Sequence, residues 1–140
     1  RAQLMDAYLH LEVYPEVPQA LKSLSDYRLV ILSNGAPQML KAVVEHAGLR
    51  ETFTHIISAD EVCIYKPSPR VYQLVPQKIG AVPDSIGFVS SNPFDVNGAK
   101  SFGFWTCWVN RTGQVWDALG FTPDVTVNRL TDLADILTQH

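Results

Sequence analysis

Positive charge is in short supply in this 140-residue chain: 11 Lys and Arg stand against 14 Asp and Glu, for a formal charge of −3. The basic residues are also scattered, which excludes the electrostatic footprint of a nucleic-acid or anionic-membrane binder. Cysteine is scarcer still. Cys63 and Cys107, each in an apolar, strand-like setting, are too few for a disulfide framework. A reducing, cytoplasmic location is therefore expected. No apolar run approaches the roughly 18 residues of a membrane span, and the opening RAQLMDAYLH lacks the basic-then-apolar layout of a secretory signal. Nine Pro and eight Gly are too few for a low-complexity chain, and 46% apolar with 18% charged residues is a globular balance, not a disordered one. His10, His46, His55 and His140 are not clustered at ligand spacing, so no metal site is expected of them.

What the chain does contain is an alternation. Leu4, Tyr8 and Leu11 share one face of a short amphipathic helix that ends before Pro15. A second helix runs from about Pro15 to Ser25, with Val17, Ala20, Leu21 and Leu24 inward. Arg28 to Ser33 is a continuous apolar run closed by Asn34-Gly35, the pattern of a buried parallel strand and its turn. A helix over Pro37 to Ala47 is stopped at Gly48. Strand His55 to Ser58 follows, and then a helix to about Ile79 that Ser68 can cap, with Pro69 in its first turn. Strand Ile86 to Ser90 leads to a helix ending near Phe102, then to strand Phe104 to Val109 and a turn over Asn110 to Gly113. A short helix near Trp116, strand Asp124 to Val127 and a helix from Thr131 complete the chain. Repeated strand–helix units predict an α/β fold with a mostly parallel, Rossmann-like sheet flanked by helices.

In such sheets ligands sit at the carboxyl ends of the strands. Three clusters fall there: Ser33-Asn34-Gly35, Tyr65-Lys66-Pro67 with Tyr72 beyond, and Ser90-Ser91-Asn92-Pro93-Phe94-Asp95. The first offers a hydroxyl, a carboxamide and backbone N–H groups to an anion such as a carboxylate or phosphate, and is equally an ordinary turn. Lys66 is either an inward, fixed cation or a solvated loop lysine. Asp95 is either its partner or a carboxylate favoured by a helix N-terminus. Tyr72 and Phe94, taken alone, read as packing. Trp105, Trp108 and Trp116, with Phe102 and Phe104, read as core or subunit-interface aromatics, and a homodimer is the expected assembly if any forms.

Taken together, the phrases VILSNGAPQ, YKPSPRVY, FVSSNPFDVNGAK and GFWTCWVNRTG resemble the haloacid dehalogenase superfamily over essentially the whole chain. Within it they resemble the hydrolytic L-2-haloacid (type II) dehalogenases. The resemblance implies conversion of L-2-haloalkanoic acids to 2-hydroxy acids through an aspartyl ester. Ser33 and the Asn34 backbone would hold the substrate carboxylate. The Asn34 side chain and the Phe94 ring edge would face the halide. Lys66 would keep the nucleophile ionised, with Tyr72 reaching the same pocket. Ser90 would fix the Lys66 ammonium, Asn92 would place the hydrolytic water, and Asp95 would pair with Lys66 and help activate that water. Phosphatases of the superfamily carry an acidic pair for Mg²⁺ where this chain has Ser90-Ser91, so no metal and no other cofactor is expected. A Mg²⁺-dependent phosphatase with a degenerate last motif is the alternative, and a non-catalytic fragment is a third reading.

The resemblance also implies a nucleophile strand of the form Asp-x-x-Gly-Thr, which no stretch of the chain matches. Asp6 falls in the helical stretch, Asp26 in a turn, and Asp60 after a different strand. The expected layout is thus residues 1–12 as the last helix of a cap and 13–140 as a partial α/β core, lacking its central strand and inactive alone.

Overall fold

The structure is a computed structural model, and it describes residues 3–6, 17–46, 48–49, 51–116 and 120–138. Strands β1 (Gln3–Asp6), β2 (Leu29–Ser33), β3 (His55–Ser58), β4 (Ile86–Ser90), β5 (Trp105–Val109) and β6 (Val125–Val127) form one sheet in the order β3-β2-β1-β4-β5-β6. Every neighbouring pair is parallel. Helices α1 (Val17–Ser23), α2 (Pro37–His46), α3 (Pro69–Ile79) and α4 (Pro93–Phe102) lie in connections between strands, and α5 (Leu130–Thr138) follows β6.

Each apolar strand feeds both faces of this sheet, as burial between two helical layers requires. In β2, Leu29 and Ile31 join the core under α1, α2 and α5 with Leu24, Val44 and Leu133. Val30 and Leu32 point the other way, to Val71, Val75 and Ala99 beneath α3 and α4. The second core is rich in aromatic rings: Tyr72, Phe88 and Phe104 are all essentially inaccessible. Burying each such side chain contributes about 1.5–3 kcal/mol.

The helix punctuation follows the sequence. Ser68 Oγ accepts the Arg70 N–H at the start of α3, Pro69 occupies its first turn, and Gly80, left-handed at φ 68, closes it. Asn92 Oδ1 accepts the Phe94 N–H at the start of α4.

Four expectations are corrected. The helix expected over the first eleven residues is a strand at Gln3–Asp6, and residues 7–16 lie outside the described residues. This strand occupies the centre of the sheet, which was expected to be vacant, with Leu4 in register with both Leu29 and Gly87. The physical reason is backbone pairing: a gap between two buried strands leaves two rows of N–H and C=O groups unsatisfied. Cys63 is not in a strand but follows the 3-10 turn Ala59–Val62, exposed and with positive φ, whereas Cys107 is buried in β5 and its thiol is pushed up to about 12 by that burial. Trp116 is not helical, and the three residues after it lie outside the described residues. Its ring instead stacks edge-on against Trp108, with centroids 5.0 Å apart.

Candidate active site

Three parallel strands end in a serine at the same edge, and all three serines are buried. Each Oγ accepts the N–H two residues on: Gly35 to Ser33 at 3.1 Å, Asp60 to Ser58 at 3.1 Å, and Asn92 to Ser90 at 3.0 Å. The short hydroxyl side chain thus turns the chain as it leaves the sheet and satisfies a donor that has lost its ladder partner. Ser58 does more, donating to the Gly35 carbonyl at 2.6 Å and so tying β3 to the turn after β2.

Lys66 lies across the space between these turns. Its backbone N–H donates to Asn34 Oδ1 at 2.9 Å, joining the first cluster to the second. Its side chain, only 8% exposed, runs inward, where Nζ donates to the Leu32 carbonyl at 3.2 Å and to Asp95 Oδ2 at 2.7 Å. Nζ also stands 5.8 Å from the centre of the Phe88 ring, a distance at which the ring face attracts a cation. Lys66 is therefore the inward, paired cation and not a solvated one.

Asp95, in the first turn of α4, is 5% exposed. Its second carboxylate oxygen accepts the Tyr72 hydroxyl at 2.7 Å, and the Ser90 hydroxyl is a further hydrogen-bond partner of the carboxyl group. Burial pushes the Asp95 carboxyl up from its ordinary value, while the Lys66 charge and the bonds from Lys66, Tyr72 and Ser90 pull against that rise. The Tyr72 phenol is raised too, first by burial and then by the Asp95 charge, so it stays protonated as a donor. Tyr72 is both core and site: its ring meets Phe88 edge-on at 5.6 Å while its hydroxyl serves Asp95.

The structure thus brings Ser33, Asn34, Lys66, Tyr72, Ser90 and Asp95 to one edge. Ser90 reaches the partner of the Lys66 ammonium, through Asp95. Asn34, Asn92 and Phe94 stand at the open side of this cluster, with Phe94 62% exposed. Both asparagines have their carbonyl oxygens engaged, by Lys66 N–H and Phe94 N–H, which leaves the NH₂ ends as donors toward an anion. Sequence reasoning missed Ser58, although its Ile-Ile-Ser strand end repeats the Leu-Ser and Val-Ser endings of the other two strands. It also missed that the Trp108 indole N–H holds the Ser91 carbonyl at 3.2 Å, bracing the loop after β4 from β5.

The described residues do not by themselves make a Mg²⁺ site. Among the described residues no three His, Cys, Asp or Glu side chains gather at metal-binding distance, and both oxygens of Asp95 are already committed to Lys66 and Tyr72.

The family model of haloacid dehalogenase-like hydrolases matches residues 2–103. The (S)-2-haloacid dehalogenase of Pseudomonas sp. (strain YL) is 49% identical over 138 residues, which cover 97% of this chain and 60% of that protein. Haloacetate dehalogenase H-2 of Moraxella sp. (strain B) is 47% identical over 127 residues, covering 89% of this chain and 57% of that one. Among solved structures, the L-2-haloacid dehalogenase of Xanthobacter autotrophicus with chloropropionic acid covalently bound superposes with a TM-score of 0.87 at 36% identity, covering 89% of this chain and 60% of that chain. The chain therefore spans about 60% of the length of the curated relatives it matches. With the family model covering most of its length and the parallel sheet superposing on a solved relative, the chain belongs to the haloacid dehalogenase-like hydrolases.

Proposed function

We propose that these residues form the substrate-, halide- and water-positioning part of a metal-free hydrolase that converts (S)-2-haloalkanoic acids to 2-hydroxy acids. The observation that carries the reading is the buried Lys66–Asp95–Tyr72 unit, whose carboxylate is held by an ammonium and a phenol where a metal would otherwise sit. In the reaction, an aspartate carboxylate oxygen bonds to the substrate α-carbon as the carbon–halogen bond breaks and the halide leaves with the bonding pair. Water then adds to the carbonyl carbon of the resulting ester, freeing the 2-hydroxy acid and returning the aspartate.

Ser33 and the Asn34 N–H hold the substrate carboxylate, and the Asn34 NH₂ with the Phe94 ring edge faces the departing halide. Lys66 supplies the fixed positive charge that keeps the attacking carboxylate ionised. Asn92 orients the water, and Asp95, held by Lys66, Tyr72 and Ser90, draws off its proton. No Asp-x-x-Gly-Thr sequence occurs in the 140 residues; Asp6, at the end of β1, is followed by Ala-Tyr-Leu-His. We assign no nucleophile within the chain, and by itself it is expected to bind without turnover. Two unpaired thiols support a reducing, cytoplasmic setting.

The test is an NMR titration of the protein with (S)-2-chloropropanoate in EDTA. Amide shifts centred on Ser33, Asn34 and Phe94 are expected. Shifts elsewhere, or selective broadening of Asp95 by Mn²⁺ used as a stand-in for Mg²⁺ in a second sample without EDTA, would overturn the reading.

A further inference from the structure

Gly98 lies inside α4, where alanine would be the better helix former. Its backbone does not call for glycine either, since the described glycines with positive φ are Gly48, Gly80, Gly103, Gly113 and Gly120. What excludes a side chain is space. A Cβ on residue 98 would stand 2.7 Å from Tyr72 Oη, 2.8 Å from Pro67 Cβ and 3.2 Å from Tyr72 Cε2.

Neither neighbour has an easy retreat. The Tyr72 ring is fully buried and wedged among Phe88, Phe102 and Phe104, with centroids 5.6 to 6.1 Å away. The atom nearest the missing Cβ is the same hydroxyl that bonds Asp95. Pro67 directly follows Lys66, whose Nζ bonds the other oxygen of Asp95. Asp95 itself is three residues before Gly98 on the same helix, hence on the same face. Both arms of the unit therefore close on Asp95 by passing over bare backbone at position 98.

We propose that Gly98 is a positioning residue: the absence of a side chain there seats the Tyr72 hydroxyl and the Lys66-Pro67 segment against Asp95, and any side chain uncouples them. Its consequence for catalysis rests on the dehalogenase reading, whereas its geometry does not. The test accordingly reads no turnover, so that failure of one leaves the other standing.

The measurement is a ¹³C NMR titration of the Asp95 carboxyl carbon in the wild-type protein, in Gly98→Ala, in Tyr72→Phe and in the double variant. Loss of the phenol bond removes a contact that favours the ionised carboxylate, so both single variants are expected to move the midpoint upward by about one pH unit. In the Tyr72→Phe background Gly98→Ala is expected to move the midpoint by less than it does in the wild type, because only the Lys66-Pro67 arm is left to displace. An unmoved midpoint in Gly98→Ala, or a shift equally large in the Tyr72→Phe background, would overturn the proposal, since a glycine that only packs would lower the melting temperature without touching Asp95 through Tyr72. Should Gly98→Ala fail to fold, it is made in a Tyr72→Phe, Pro67→Gly background that itself melts cooperatively. That background lacks both atoms nearer than 3.0 Å, so cooperative melting there supports the proposal and continued failure overturns it.

Discussion

Asp95 and Lys66 hold each other in place at a depth where neither charge is tolerable alone. Their side chains are 6% and 8% exposed, and removing one partner of such a pair costs about 3–5 kcal/mol because the other stays buried and uncompensated. Asp95→Ala is therefore expected to destabilise the protein by about that much in urea denaturation. Lys66→Met combined with Asp95→Leu is expected to cost less than either single change, because no buried charge is left behind. Additive losses in the double variant would mean that the two side chains are not coupled. The pairing was legible only in part from the residues themselves, since a lysine before a proline is usually solvated and an aspartate in a first turn has the helix dipole as sufficient company. What decides is that both side chains turn inward to meet each other, with the Lys66 ammonium 5.8 Å from the centre of the Phe88 ring, which no local pattern records.

At the scale of elements, α4 is where the site and the fold meet. It carries Phe94, Asp95 and Gly98 toward the site, and at its far end Lys100 reaches Asp124 at 2.7 Å. Asp124 also accepts the backbone N–H of Thr106 at 2.7 Å, so a single carboxylate ties α4, β5 and the start of β6 together. Partial burial works to raise this carboxyl group, but the Lys100 and Thr106 bonds outweigh it and hold the group below its ordinary value. In acid the unfolded chain therefore takes up this proton before the folded protein does, and stability rises with pH. The contribution is fully present above the ordinary carboxylate value and is lost as pH falls through the depressed one. Asp124→Asn is expected to lower the neutral plateau of a melting-temperature profile while leaving its acid end nearly unchanged, so that the acid limb flattens; an unchanged acid limb would refute the assignment.

Most elements were legible because apolar runs of strand length are bounded by Asn34-Gly35, Ser68-Pro69, Asn92-Pro93 and the glycines at 48, 80 and 103. β1 was not, because Leu4, Tyr8 and Leu11 satisfy a helical spacing. The competing force is an unpaired slot between β2 and β4, which exists only once the sheet is assembled.

For the molecule as a whole, the parallel sheet gathers residues from far apart in the chain at one edge, and its three serine-ended strands turn that edge into a platform. The site residues were nameable because the motif phrases carry them in order, but the reasons they work together were not. Gly98 is one residue among eight glycines in the sequence, and its meaning appears only when Tyr72 and Pro67 are seen closing over it. Ser58 and Trp108 likewise act through turns they brace from neighbouring strands. We propose that this edge is a dehalogenase half-site working without metal. Its most direct test is to replace the matching 138-residue region of the Pseudomonas sp. (strain YL) dehalogenase, 49% identical, with this chain, and to measure halide released from (S)-2-chloropropanoate in EDTA. EDTA-insensitive halide release that Asp95→Asn abolishes is expected. A folded chimera that releases no halide, or that hydrolyses phosphate esters only when Mg²⁺ is added, would contradict it.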